Sequence, residues 1–337
     1  MENIGLNFNE ILNECGVDRE PASVVVEKIA GLEEFYEADD LIKIYNYILL
    51  NNSDYEILSG VIRFSDSYRA KSTLSILLDI LLGKQTVLED IDDNINLRSL
   101  CAKAISNYKD TSTVTAFLHC LNNKNENYKI RLACADALGR IGDRFAVVPL
   151  INVVQDEEEK SVYVKESAAH ALGLIGDISA IDPLISIMEA KQGIWDKFSF
   201  LKEKIVEALG MMNINNHKVL RVLKSSLSDS SPMVRINAIE ALMNSDFEEA
   251  CDLIRIALKD EEEEVQRNAL IALYNLLGRD ILDEVISLPS YSQFLKEEAQ
   301  NMIDEYENEE GEFSGSKINN FTFRRFRFPC CFGCIQR

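Results

Sequence analysis

The sequence predicts an all-α fold, namely an α-solenoid in which helix–turn–helix repeats stack into a right-handed superhelix. The first observation behind this prediction is a stretch that recurs, since IRLACADALGRIGD from Ile130 returns as VKESAAHALGLIGD from Val164. Weaker copies extend the series to six, at a period of roughly 33 residues, which is typical of a repeat protein. The second is composition. Of the 337 residues, 47% are hydrophobic while only 6 are proline and 15 glycine, a balance that favours helices.

The six copies align in columns that describe one face of a helix. Each copy has a leucine or isoleucine, here called the anchor, and the residue before the anchor is always alanine. The anchors are Ile105, Leu138, Leu172, Leu209, Leu242 and Leu273. Small or apolar residues stand four and eight positions before each anchor, which places them on the same side of a helix. Each repeat is therefore predicted to bury this face against its neighbours.

A second helix is predicted to follow in each repeat. Glycines at or after the end of the anchor motif, such as Gly139 and Gly142, are expected to end the first helix. Asp143 then stands where its side chain can cap the second helix, and Asp177 stands in the same place one repeat later. Pro149 fits the first turn of the second helix, because a proline there loses no hydrogen bond.

Along the chain we expect four segments. Residues 1–95 are helical but irregular, and are predicted to be degenerate repeats that cap the first regular repeat. Residues 96–290 hold the regular array, and residues 291–310 are predicted to form a polar, acidic capping helix at its far end. Residues 311–337 are predicted to be a flexible, basic tail that contains cysteines.

The segment VKESAAHALGLIGDISAIDPLISIM, which starts at Val164, resembles the HEAT-type repeat in the variant named after phycobilisome lyases. The resemblance covers residues 96–290 and implies an armadillo-like helical architecture. In that family, a basic residue of the first helix and aspartates of the turns form a ladder between repeats. The implied ladder comprises Arg98, Arg131, Lys165, Lys202 and Arg235, with Asp156, Asp229 and Asp260 as acids. A ligand-binding role for this column is the alternative.

Two surfaces are candidates for binding a protein or peptide partner on the predicted concave face. One is the polar column two positions before the anchor, which a basic partner would complement. This column comprises Asp136, His170, Glu207 and Glu240. The other is the insertion of residues 190–200, whose Trp195 and Phe198 are candidates because insertions in repeat scaffolds map to loops. The alternatives are that the two rings pack over the adjoining repeats, and that His170 simply lies on a polar face.

The net charge of −21 argues against nucleic acid as a partner, since phosphate binding needs clusters of lysine and arginine. Either a basic partner or solubility alone explains the acidity. The first residues lack the basic and apolar regions of a secretory signal, and no stretch approaches the apolar length of a membrane span. Five cysteines are scattered singly in helical segments, which suits a reducing compartment, so a cytoplasmic location is expected.

The C-terminal sequence FTFRRFRFPCCFGCIQR has no acidic residue and alternates aromatic and arginine side chains. Acylation of Cys330, Cys331 or Cys334 would place this segment on an anionic membrane, which is the weaker hypothesis. The segment could equally dock on the acidic body of its own chain, or have no selected role. Cys331 and Cys334 by themselves form only half of a zinc site.

No catalytic residue, cofactor site or metal site is predicted. The sequence has no nucleophile motif or phosphate loop, and Cys101 and Cys134 occupy the small-residue column of the core. Deoxyhypusine hydroxylases share this repeat architecture and bind iron through His-Glu pairs, but none of His119, His170 and His217 precedes a glutamate. The leading hypothesis is a non-enzymatic interaction scaffold. The alternative, implied by the resemblance, is a bilin lyase or chromophore chaperone that attaches a linear tetrapyrrole to a phycobiliprotein.

Overall fold

The computed structural model describes residues 6–85, 88–189 and 199–313, with side chains described as far as residue 305. Within these ranges every regular element is a helix, with eighteen α-helices, four short 3₁₀ helices and no β-strand. The predicted all-α solenoid of helix–turn–helix repeats is therefore confirmed. The chain divides into two compact units, Met1–Ala180 and Ile181–Arg337. The four segment boundaries expected from the sequence stay predictions.

The first unit begins with five irregularly spaced helices. They are α1 (Phe8–Cys15), α2 (Ala22–Gly31), α3 (Ala38–Asn51), α4 (Tyr55–Ser65) and α5 (Lys71–Leu81), with a 3₁₀ helix at Leu32–Glu34. α2 packs on α4, and α3 packs on α4 and α5. α4 and α5 also pack on the helix that follows them, so this segment covers the stacking face of the first regular repeat.

The regular part of the first unit is built from alternating first and second helices. The first helices are α6 (Ile91–Asn107), α8 (Tyr128–Ile141) and α10 (Val162–Ile175), and the second helices are α7 (Val114–Asn122) and α9 (Val147–Gln155). α8 packs between α6 and α10, while α7 packs on α8 and α9 packs on α10. The remaining 3₁₀ helices are Thr111–Thr113, Arg144–Ala146 and Ile178–Ala180. This sequential packing buries an apolar face that neither helix of a repeat could bury alone.

A glycine and an aspartate set the turn inside two repeats of the first unit. Gly142 and Gly176 follow α8 and α10 with φ of 77° and 68°, a left-handed conformation that glycine adopts without strain. The Asp143 carboxylate then accepts a hydrogen bond from the Phe145 N–H at 2.8 Å. Asp143 thus caps the 3₁₀ helix that leads into α9, rather than α9 itself as the sequence predicted.

The prediction that Gly139 helps to end the first helix is wrong. Gly139 is buried inside α8 and faces Ala171 of α10. A β-carbon on Gly139 would lie 2.7 Å from the Ala171 α-carbon. In the second unit, a β-carbon on Gly210 would lie 2.6 Å from that of Ala241. Glycine at this position therefore permits close packing of neighbouring first helices, and after α8 the chain reverses only at Gly142.

The second unit continues the alternation of helices. Its helices are α11 (Ile181–Glu189), α12 (Ser199–Met212), α13 (His217–Ser226), α14 (Pro232–Met243), α15 (Ala250–Ala257), α16 (Glu263–Leu277), α17 (Asp280–Ser287) and α18 (Gln293–Phe313). The first helices α12, α14 and α16 pack in sequence, and α13, α15 and α17 flank them. α18 packs on α16 and α17, so it covers the last repeat.

The anchor column forms the centre of the core. All six anchors are at most 1% exposed, and the alanines before them are buried as well. The predicted apolar stripe is therefore confirmed as the packing face. Cys101 and Cys134 are fully buried in this face, as predicted. Because full burial of one leucine side chain contributes about 1.5–3 kcal/mol, the column is a major source of stability for each repeat.

Candidate functional site

The basic column of the first helices forms a ladder between repeats in the first unit. Arg131 Nε donates to the backbone oxygen of Leu121 at 2.9 Å, which satisfies a carbonyl at the C-terminal end of α7. The two Nη atoms of Arg131 donate to both carboxylate oxygens of Glu159, at 3.1 and 2.5 Å. Arg98 makes the same kind of contacts one repeat earlier, with Glu126 as its acid. Each rung therefore joins a first helix to the helix before it and to the turn that precedes the next first helix.

The acid in these two rungs is a glutamate rather than one of the turn aspartates that the resemblance implied. Asp156 pairs instead with Lys124 at 2.6 Å, and its backbone oxygen accepts a hydrogen bond from Lys165. Burial raises the pKa of Glu159, but hydrogen bonds from Arg131 and a backbone N–H more than offset burial. The pKa of Glu159 therefore lies below its ordinary value, and the carboxylate is held in its charged form.

In the second unit, turn aspartates take the acidic role. Arg235 donates to the backbone oxygen of Asp229 at 2.8 Å and to the carboxylate of Asp260 at 2.7 Å. The Lys202 ammonium lies 3.6 Å from the Asp229 carboxylate. Gln266, which replaces the base in the last copy, donates to the backbone oxygen of Asp260 at 2.6 Å. Because these groups bond within the protein, the geometry favours a structural role over the ligand-binding alternative.

The polar column predicted to bind a partner lies at half-buried positions. Asp136 and His170 belong to α8 and α10 of the first unit. Glu207 and Glu240 belong to α12 and α14 of the second unit, where Glu207 pairs with Lys204 at 2.7 Å. Each of these side chains is therefore partly buried by its neighbours and partly exposed to solvent. Their role in partner binding stays a prediction.

Several predicted features lie outside the described residues, namely Trp195, Phe198 and the tail with Cys330, Cys331 and Cys334. Among the residues that the structure describes, no group of three or more His, Cys, Asp or Glu side chains is placed to hold a metal ion. In the same ranges, no helix combines the length and apolar character needed to cross a membrane.

The pKa of Glu240 is raised above its ordinary value. Burial raises the pKa of Glu240, and the negative charge of Glu207 raises it further. Folded Glu240 therefore holds its proton to a higher pH than it does in the unfolded chain. The stability that this proton linkage contributes is present at low pH and is lost as the pH rises through the raised pKa.

We therefore expect Glu240→Gln to raise the free energy of unfolding at neutral pH, where the wild type must keep a half-buried carboxylate charged beside Glu207. Below the ordinary carboxyl pKa the two proteins should be equally stable. Urea unfolding at both pH values measures the difference. The exposed Glu248 provides a control, since Glu248→Gln should change stability by less than about 0.5 kcal/mol. Lower stability of Glu240→Gln at neutral pH would contradict the expectation.

An exposed tyrosine pair is a feature that the repeat columns did not reveal. Tyr128 is the first residue of α8 and Tyr163 the second residue of α10. They are 44% and 57% exposed, and their ring centroids lie 6.2 Å apart. The turn before α10 carries Glu157 and Glu158, both exposed. We call these four residues the tyrosine edge. The signal in the sequence is a tyrosine one or two positions before each of two successive copies, outside the apolar columns that define the repeat.

Comparison with known families identifies the repeats. The family model for HEAT repeats matches residues 85–162, 125–197 and 196–274. These matches together span residues 85 to 274, which is more than half of the chain. No curated protein sequence matches the chain.

Among solved structures, the chain is similar to human deoxyhypusine hydroxylase in complex with glycerol. The identity is 14% and the TM-score 0.32, over 80% of this chain and 95% of that chain. The complex of CpcE and CpcF of phycocyanin lyase from Nostoc sp. PCC7120 has 21% identity and a TM-score of 0.44 over 69% and 94%. A mutant of Kap121p has 11% identity and a TM-score of 0.42 over 87% and 36%. The family model for HEAT repeats matches most of the stacked helical pairs. The chain therefore belongs to the HEAT-repeat family.

Proposed function

We propose that this chain is a non-enzymatic interaction scaffold that binds a protein or peptide partner rich in basic side chains. Membership of the HEAT-repeat family supports this, because stacked repeats present side chains at regular spacing on an extended surface. The observation that carries the proposal is the tyrosine edge. There, two exposed aromatic rings from the starts of neighbouring first helices pair with each other, and two exposed glutamates lie in the turn before α10.

Tyrosine is suited to an interface because it supplies a large apolar ring and a hydroxyl while losing little side-chain entropy. Exposed glutamates in the same turn attract lysine and arginine and accelerate encounter with a basic partner. The net charge of −21 adds a long-range field of the same sign. A basic segment with apolar side chains therefore fits this surface best.

The test is affinity capture with the purified chain as bait, followed by measurement of affinity for the protein it retains. Tyr128→Ala combined with Tyr163→Ala should weaken binding at least about tenfold, the loss expected when interface anchors are truncated. Phe145→Ala is the control, because Phe145 is an even more exposed aromatic residue, in the 3₁₀ helix within a repeat. Affinity should also fall as salt rises. Equal capture by the double variant would remove this surface from the proposal.

The predicted polar column provides a second set of variants. Substitution of its members by neutral isosteres, such as Asp136→Asn and Glu207→Gln, tests whether a basic partner also contacts the first helices. The same capture with the chain ended at residue 312 tests whether the basic tail takes part. We further propose a cytoplasmic location, which suits the scattered, buried cysteines, and cell fractionation measures it.

The bilin-lyase alternative gives a different result in a separate experiment. In cells that supply a bilin and a phycobiliprotein subunit, a lyase would attach pigment to the subunit and produce a visible absorbance band. A scaffold produces neither pigment binding nor labelling of the subunit. Appearance of the band would replace the proposal above.

A further inference from the structure

Two buried thiols from different helices meet beside the Arg98–Glu126 rung of the ladder. Cys120 lies in the last turn of α7, and Cys134 lies in the middle of α8. They are 2% and 0% exposed, and the Cys134 thiol donates a hydrogen bond to the Cys120 sulfur. Because a hydrogen bond between thiols brings their sulfur atoms into contact, only a small displacement separates this pair from a covalent S–S bond.

The surroundings of Cys120 favour its nucleophilic form. The hydrogen bond from Cys134 lowers the pKa of the Cys120 thiol, burial opposes this effect, and the positive charge of Arg98 lowers the pKa further. The Arg98 guanidinium also donates a hydrogen bond to the Cys120 sulfur. The thiolate is the reactive form of cysteine, so Cys120 is the attacking member of the pair and Cys134 is the second thiol.

The neighbouring ladder contacts hold the two thiols in register. α7 packs on α8, and Arg131 of α8 donates to the backbone oxygen of Leu121, the residue after Cys120. Cys101 occupies the same column as Cys134 one repeat earlier and is also fully buried. Burial raises the pKa of Cys101, and among the described residues no second thiol acts on it. Contact with another thiol, rather than burial alone, therefore distinguishes the Cys120–Cys134 pair.

Solvent can reach the pair through the C-terminal end of α7. Residues 122–125, which follow directly, are all exposed. Helix ends open locally at a lower free energy than helix centres, and Cys120 lies in the final turn. A small oxidant that is little larger than water therefore reaches Cys120 when this turn opens, and the opening sets the rate of reaction.

We propose that Cys120 and Cys134 form a reversible disulfide that joins α7 to α8 when a hydroperoxide oxidises them. The Cys120 sulfur attacks the O–O bond, so that an S–O bond forms and the O–O bond breaks. The departing oxygen takes the Cys120 proton and leaves as water or an alcohol, which makes Cys120 a sulfenic acid.

The Cys134 sulfur then attacks the Cys120 sulfur, so that an S–S bond forms and the S–O bond breaks. The departing hydroxide takes the Cys134 proton and leaves as water. In total, two electrons pass from the two thiols to the hydroperoxide. A thiol reductant returns them by exchange and restores the dithiol. In a reducing compartment a bond of this kind is transient and senses oxidants.

The bond would covalently join successive repeats, because α7 is the second helix of the repeat that α6 begins, whereas α8 begins the next repeat. It closes a loop from residue 120 to residue 134 and thereby restricts the unfolded chain. We therefore expect oxidation to raise the melting temperature of the chain by about 5–10 °C.

The test is treatment of the folded full chain with hydrogen peroxide, followed by alkylation of the remaining thiols, digestion and mass spectrometry. We expect a linked pair of peptides that contain Cys120 and Cys134, lighter than the reduced pair by two hydrogen atoms. Dithiothreitol should separate them and reverse the rise in melting temperature. No partner is present, so the result is independent of the scaffold proposal.

Two variants serve as controls. Cys134→Ala should abolish the link, whereas Cys101→Ala removes a buried cysteine of the same column and should leave the link intact. The peptide map of the wild type decides the matter even if a variant folds poorly. The proposal is overturned if the link forms only in urea, if Cys120 joins a different cysteine or ends as a sulfinic acid, or if the oxidised chain melts no higher than the reduced one.

Discussion

Replacing Arg131 by methionine is expected to lower the free energy of unfolding of the first unit by about 3–5 kcal/mol, the usual cost of leaving a buried charge without its partner. The Arg131 and Glu159 side chains are only 6% and 3% exposed. Removal of the guanidinium would leave the Glu159 carboxylate buried and would also strip a hydrogen bond from the backbone oxygen of Leu121. Urea unfolding followed by circular dichroism measures the loss.

A double-mutant cycle separates this pair from simple loss of packing. Glu159→Gln alone should also destabilise, whereas Arg131→Met combined with Glu159→Gln should be more stable than the sum of the single losses predicts. Lys43→Met breaks an exposed pair with Asp40 and should cost at most about 1 kcal/mol. Additive losses in the cycle would show that Arg131 and Glu159 do not stabilise each other.

Acid should weaken the same rung. Because the folded pKa of Glu159 is depressed, its contribution to stability is present above the ordinary carboxyl pKa and is lost as the pH falls through the depressed one. The Arg131→Met protein lacks the hydrogen bonds that depress this pKa, so its stability should depend less on pH in the acidic range. Unfolding curves at a series of acidic pH values test this.

Gly139→Ala is expected to destabilise the first unit by about 1–3 kcal/mol, the usual cost of overpacking a tight core. Alanine favours the helical conformation over glycine by up to about 1 kcal/mol, but the new methyl group would lie 2.7 Å from the Ala171 α-carbon. That neighbour is backbone and cannot rotate away. The clash should therefore exceed the gain in helix propensity, and the melting temperature should fall.

The same substitution at Gly31 should have the opposite sign. Gly31 ends α2 with φ of −65°, and a β-carbon there would meet nothing within 4 Å. Gly31→Ala should therefore stabilise by about 0.4–1 kcal/mol, because alanine restricts the unfolded chain without strain in the folded one. If Gly139→Ala proved as stabilising as Gly31→Ala, the close contact between α8 and α10 would not be a constraint.

The fold could be predicted because the packing face of each repeat appears in the sequence as a periodic pattern of apolar and small residues. Leu138 and Ala137 recur in every copy as leucine-like and alanine residues, and periodicity alone shows that they share a helical face. The role of Gly139 could not be predicted, for a physical reason. Glycine both ends helices and permits close approach of helices, and only the position of Ala171 on the next repeat distinguishes the two roles.

The candidate surfaces were harder to predict because they depend on contacts between repeats. Nothing in the sequence shows that the Ser226 hydroxyl is buried without a hydrogen-bond partner. Likewise, the pairing of Tyr128 with Tyr163 depends on how α8 and α10 stack. The aligned columns of the repeats identify the buried face of each helix. Which exposed residues lie next to one another depends instead on the register between neighbouring helices.

The ladder also limits how the length of this chain can change. In the first unit, the Arg98–Glu126 and Arg131–Glu159 rungs both join residues 28 positions apart. A few residues inserted between the two members of a rung would move the acid away from its arginine, unless the extra residues looped out. Gain or loss of a whole repeat would instead carry each arginine and its acid together. Growth and shrinkage of such a protein are therefore easiest in complete modules, and small insertions are best tolerated where no rung spans them.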